Sequence, residues 1–175
     1  TAWPRHTNRT LAETMHANIV QVGLPKWSEA DIALAKATQR VMKVPEIGLA
    51  SGPIGALRGR EVIPDEEKFG GPSDDIGDVT WNVPTVSLSY PANFQAGPGH
   101  NWANAIPMAT PIAHKGVNAG ARVEAMTALE LVLRPELVKQ ARDYFENVQL
   151  KQRKYVPFIR PDDKPATWMN KTTMD

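Results

Sequence analysis

The stretch GVNAGARVEAMTALELVL, residues 116–133, constrains this chain more than any other. Val117, Ala121, Ala125, Ala128 and Val132 recur at helical spacing and define one face of a long helix starting at Gly116. Their side chains are small, so that face suits close packing against a flat partner such as a sheet. Yet one segment alone reads clearly as a strand: residues 84–90, PTVSLSY, where apolar and small polar side chains alternate. A long helix and one strand do not close a core. The chain calls for more sheet than it carries.

The other predicted elements are helical. Thr10 and Glu13 stand at capping-box spacing before Leu11, Met15, Ile19 and Val22, and Gly23 and Pro25 close that helix. Ser28 and Asp31 repeat the device ahead of a second helix, whose expected buried face is Leu34, Ala37 and Val41. Pro135 opens a last helix with Leu137, Ala141, Phe145 and Val148 in register. Residues 44–72 are dense in Gly and Pro without a sustained period and read as an ordered loop. Residues 1–150 form the expected domain, and 151–175 a basic, then Pro-rich tail that wraps its surface.

Composition removes several function classes. Twenty basic and 19 acidic residues leave a formal net charge of +1, which gives no electrostatic footprint for nucleic acid or an anionic membrane. There is no cysteine, hence no disulfide or thiolate chemistry. No apolar run reaches membrane-span length and the first residues carry no signal-peptide pattern, so the expectation is a cytoplasmic protein. The chain opens on TAWPRHTNRT without Met and ends on WMNKTTMD, as expected of a piece of something longer; Thr1 as a processed nucleophile carries little weight.

Three polar groups are candidates for chemistry. Glu66-Glu67 reads as a solvated loop pair. Asp74, Asp75 and Asp78 in GGPSDDIGD suit either a hard cation or a turn that caps itself through Asx bonds. His100, at the end of the Gly/Pro-ordered path GPGH, and His114 share one loop region after the strand; His6 and His16 are weaker candidates.

In this order, the turn GGPSDDIGD, the strand, the GH pair and the small-residue helix resemble the C-terminal part of the aminoacylase/carboxypeptidase-like metallo-amidohydrolases, aminobenzoyl-glutamate hydrolase branch. The resemblance runs from about Asn8 to about Val148. It implies an α/β fold: the C-terminal portion of a zinc-peptidase-like catalytic domain, with helices packed on part of a mixed sheet and the N-terminal half and lid largely absent.

It also implies the chemistry. Two divalent metal ions, zinc or manganese, and a separate Glu base would activate water against an amide whose substrate carries a free carboxylate. By resemblance, His100 is the last metal ligand, and Ser73 and Asp75 of the S-x-D turn support the site; His114 matches no ligand position of the family and is a candidate for the substrate side. The remaining ligands and the base would come from the missing N-terminal half, leaving this chain inactive and without stoichiometric metal on its own. Homo-oligomer formation is compatible with this reading. The rivals are a non-catalytic assembly or binding module of the same fold, and a small self-contained metalloprotein built on Asp74, Asp75, His100 and His114.

Overall fold

The computed structural model describes residues 2–49 and 74–167. Among them lie α1 (Arg9–Val22), α2 (Glu29–Val41), α3 (Asp75–Thr80), a 3₁₀ turn (Trp102–Asn104), α4 (Ala105–Met108), α5 (Pro111–Leu133) and α6 (Pro135–Tyr144), which runs into a π turn at Phe145–Gln149. Ser73, Glu66 and Glu67, and most of the loop expected over 44–72, lie outside the described residues.

The start of α1 differs from expectation. Its cap is Asn8, whose side chain accepts from the Leu11 amide, and Glu13 instead pairs with Arg9 at 2.8 Å along the helix surface. Thr10 lies inside the helix, where its carbonyl accepts from the Thr14 hydroxyl. The end follows the sequence: Gly23 turns the chain out at φ 73° while its amide donates to the Ile19 carbonyl. On α2 the capping box forms as expected, Ser28 and Asp31 satisfying each other's backbone amides.

Two helices bury a different face from the one predicted. On α2 the inward residues are Asp31, Ala35 and Gln39, whereas Leu34, Ala37 and Val41 are exposed. Polar Gln39 faces inward because its amide is satisfied: Gly48 N donates to its Oε1 at 2.9 Å, and its Nε2 reaches the Gly48 and Gln95 carbonyls. Ala35, Phe94, Ala96 and Ile112 close the apolar core beside it.

On α5, Pro111 at the first position starts the helix five residues ahead of Gly116. Its buried residues are Ile112, Ala113, Gly116, Gly120, Val123 and Thr127, and the predicted face from Val117 to Val132 is turned to solvent. The glycines decide this. A Cβ on Gly116 would fall 2.3 Å from both Ala92 Cα and the Pro91 carbonyl oxygen, so the missing side chain is what lets the chain pass. Gly120 meets Tyr90 in the same groove. Small residues do mark the close approach, but the glycines mark it, not the alanines.

No strand is assigned among the described residues. The expected strand instead runs beside α1 beneath α5. The Thr85 carbonyl accepts from the Asn8 amide at 2.8 Å at one end of α1, and the Tyr90 hydroxyl donates to the Gly23 carbonyl at the other. Asn18 on α1 also donates to Thr127 Oγ1 on α5 at 3.1 Å. In the last helix Leu137, Ala141 and Phe145 point inward as expected, but Val148 is exposed and Gln149 takes its place. The π turn, closed by Leu150 N to Phe145 O at 3.0 Å, adds a residue to the turn and moves the inward position on by one.

Candidate functional site

His100 is presented by a loop that its neighbours tie down. Asn104 Nδ2 donates to the Gly97 carbonyl at 3.1 Å and to the Pro98 carbonyl at 2.5 Å, while its Oδ1 accepts from Ala96 N at 3.1 Å. Asn101 Oδ1 accepts from Ala103 N at 2.9 Å and starts the 3₁₀ turn. Gly97 is needed for this fold-back, since a Cβ there would lie 2.9 Å from the Ala103 Cβ. At the tip, His100 adopts φ 54°, a left-handed conformation that costs energy for a residue with a side chain. The imidazole is exposed, and Trp102 beside it is 70% exposed.

The expected candidate was the histidine alone, and the two asparagines that shape its loop went unpredicted. The available signal was their spacing: an Asn one residue and another four residues after the histidine, each placed for side-chain-to-backbone bonds.

Asp75 is exposed in the first turn of α3. Its neighbour Asp74 carries the bonding: it caps α3 by accepting from Gly77 N at 3.3 Å, and it forms a two-point ion pair with Arg5. Hydrogen bonding from the Arg5 guanidinium holds the Asp74 carboxyl below its ordinary range. A self-capping Asx turn describes this group. The N-terminal connector locks the turn further, with Trp81 Nε1 donating to Pro4 O at 2.8 Å and His6 N to Thr80 Oγ1 at 3.0 Å.

His114 lies on the solvent side of α5, one turn in from its start, and His16 is half-buried on α1. No three or more His, Asp or Glu side chains are gathered closely enough to hold a metal ion among the described residues, which include Asp74, Asp75, His100 and His114. Those four are not brought together in this structure. The donor on the shaped loop is one exposed imidazole, which does not make a metal site unaided. No helix among the described residues is long and apolar enough to cross a membrane.

No family model matches the chain, and no solved structure matches it. Among curated proteins it is similar to one of the subunits of the p-aminobenzoyl-glutamate hydrolase of Escherichia coli (strain K12), with 27% identity over 168 residues. That similarity takes in 86% of this chain but 35% of the relative, so the chain spans about a third of the length of the protein it matches. That match supports the resemblance to the aminobenzoyl-glutamate hydrolase branch over most of the chain.

Proposed function

We propose that this chain is the C-terminal portion of a hydrolase subunit that cleaves the amide bond of an N-acyl or aminobenzoyl amino acid in the cytoplasm, and that it is inactive alone. The observation that carries the reading is the coverage: most of this chain aligns with a hydrolase subunit about three times as long. In the joined enzyme His100 supplies one ligand to a pair of divalent metal ions, zinc or manganese, and Asp75 and Ser73 support the site from the neighbouring turn. His114 lies toward the substrate side. The mixed sheet expected of such a domain, its remaining ligands and its general base belong to the polypeptide that joins it.

The test is to purify the chain, measure its metal content, and assay hydrolysis of aminobenzoyl-glutamate before and after co-expression with the part of the E. coli relative outside the matched region. The expected result is no activity and little metal alone, and metal-dependent hydrolysis together. Near-stoichiometric zinc or manganese on the isolated chain, lost on His114→Ala, would overturn the reading.

A further inference from the structure

Helix α5 is apolar on both sides, yet only one side is used. Its glycine face packs on residues 88–92 and on α1, as described above. On the opposite side His114, Val117, Ala121, Ala125, Ala128 and Val132 form an exposed stripe, edged by the equally exposed Glu124 on one side and Asn118 and Arg122 on the other. It runs for about 27 Å at 1.5 Å per residue. Val117 is 60% and Val132 76% exposed, and Leu129 flanks them. A helix with apolar residues on two opposite sides has a second face to bury, and contiguous solvent-facing apolar stripes mark contact surfaces.

We infer that this stripe is the surface on which the rest of the hydrolase subunit packs, through an apolar face of its own. The inference rests on the proposed function and names the partner of that reading. Length selects this occupant: the matched relative extends well beyond the part this chain covers, so a large body of polypeptide stands available to cover the stripe. The alanines at its centre permit close approach of a flat element, and the valines near the ends supply the apolar area.

The experiment co-expresses the full chain with the polypeptide corresponding to the unmatched part of the E. coli relative and measures co-purification. The variants are Val117→Asp with Val132→Asp, Val132→Asp alone, and Val20→Asp as a control on α1, where that valine is equally 60% exposed. Circular dichroism confirms that each variant folds. Association is expected to weaken at least tenfold for the double variant, less for Val132→Asp, and not for Val20→Asp.

Association unchanged in the double variant would overturn the docking surface, even if hydrolysis is restored and the functional reading stands. Co-purification without hydrolysis would sink the functional reading and leave the surface in place. No association of the unsubstituted chain would overturn the inference. So would a dimer of the chain alone, seen by light scattering and dissolved by the double substitution, because the stripe would then belong to a second copy.

Discussion

Asn8 and Gln149, 141 residues apart, meet in the interior: Asn8 Nδ2 donates to Gln149 Oε1 at 2.8 Å. The same amide donates to the Ala141 carbonyl at 2.9 Å, and Gln149 Nε2 donates to the His6 carbonyl at 2.8 Å. Since Asn8 also caps α1, one buried side chain fixes the start of the first helix to the end of the last. Asn8→Ala removes the cap and strands the Gln149 and Ala141 acceptors. Loss of about 2–4 kcal/mol is expected in urea unfolding. Asn8→Asp, which keeps the cap oxygen but loses the donor, should recover only part of it.

The groove under α5 gives a sharper contrast. Gly→Ala inside a helix ordinarily gains about 1 kcal/mol from propensity. At Gly116 the added methyl meets backbone at 2.3 Å, so the net effect should be a loss of about 1–3 kcal/mol. At Gly120 the nearest atom is the Tyr90 Cβ at 3.4 Å, an ordinary contact, and Gly120→Ala should change stability by less than about 1 kcal/mol. Equal losses at both positions would mean that the 88–92 segment does not run in this groove.

Asp31 links pH to stability. Its carboxylate is buried where α2 meets α5, paired with Lys115 and accepting from the Ser28 amide at 2.7 Å and hydroxyl at 2.8 Å. The Lys115 hydrogen bond first, and the Ser28 bonds after it, lower its pKa from 3.8 to about 2. A carboxyl depressed on folding stabilises above its unfolded value and loses that contribution as pH falls toward the folded one. Stability should therefore decline between roughly pH 4 and 2, the window between those two values. Asp31→Asn should lower the urea midpoint at neutral pH and flatten this acid limb. An unchanged slope would remove Asp31 from the account.

Much of this architecture is legible in the sequence, and each failure has its own physical cause. Local chemistry reads well: Ser28–Asp31, Gly23 and Pro135 do what their residue types dictate. Facing directions read poorly wherever a polar side chain is buried with its partners, as Gln39 is on α2, because periodicity counts apolar residues only. On α5 both faces are apolar, so period alone could not choose, and the glycines held the answer. In α6 the π turn shifted the register, and no apolar pattern announces one extra residue. His100 was legible as a candidate from its glycines; the fit of its loop depended on Asn101 and Asn104, whose bonds become visible only once the chain has turned back on itself.

That loop yields the last prediction, in which stability and function should separate. His100 is exposed and held at φ 54°, a conformation that glycine adopts without strain. His100→Gly should leave the urea midpoint unchanged or slightly raised, within about 0.5 kcal/mol, yet abolish hydrolysis in the joined enzyme if the imidazole is a ligand there. Asn104→Ala should behave differently. It frees the Ala96 amide and the Gly97 and Pro98 carbonyls, costs about 1–2 kcal/mol, and lowers kcat by letting the loop wander while the imidazole stays present. If His100→Gly retains full activity in the joined enzyme, the histidine is a turn residue and the ligand lies elsewhere.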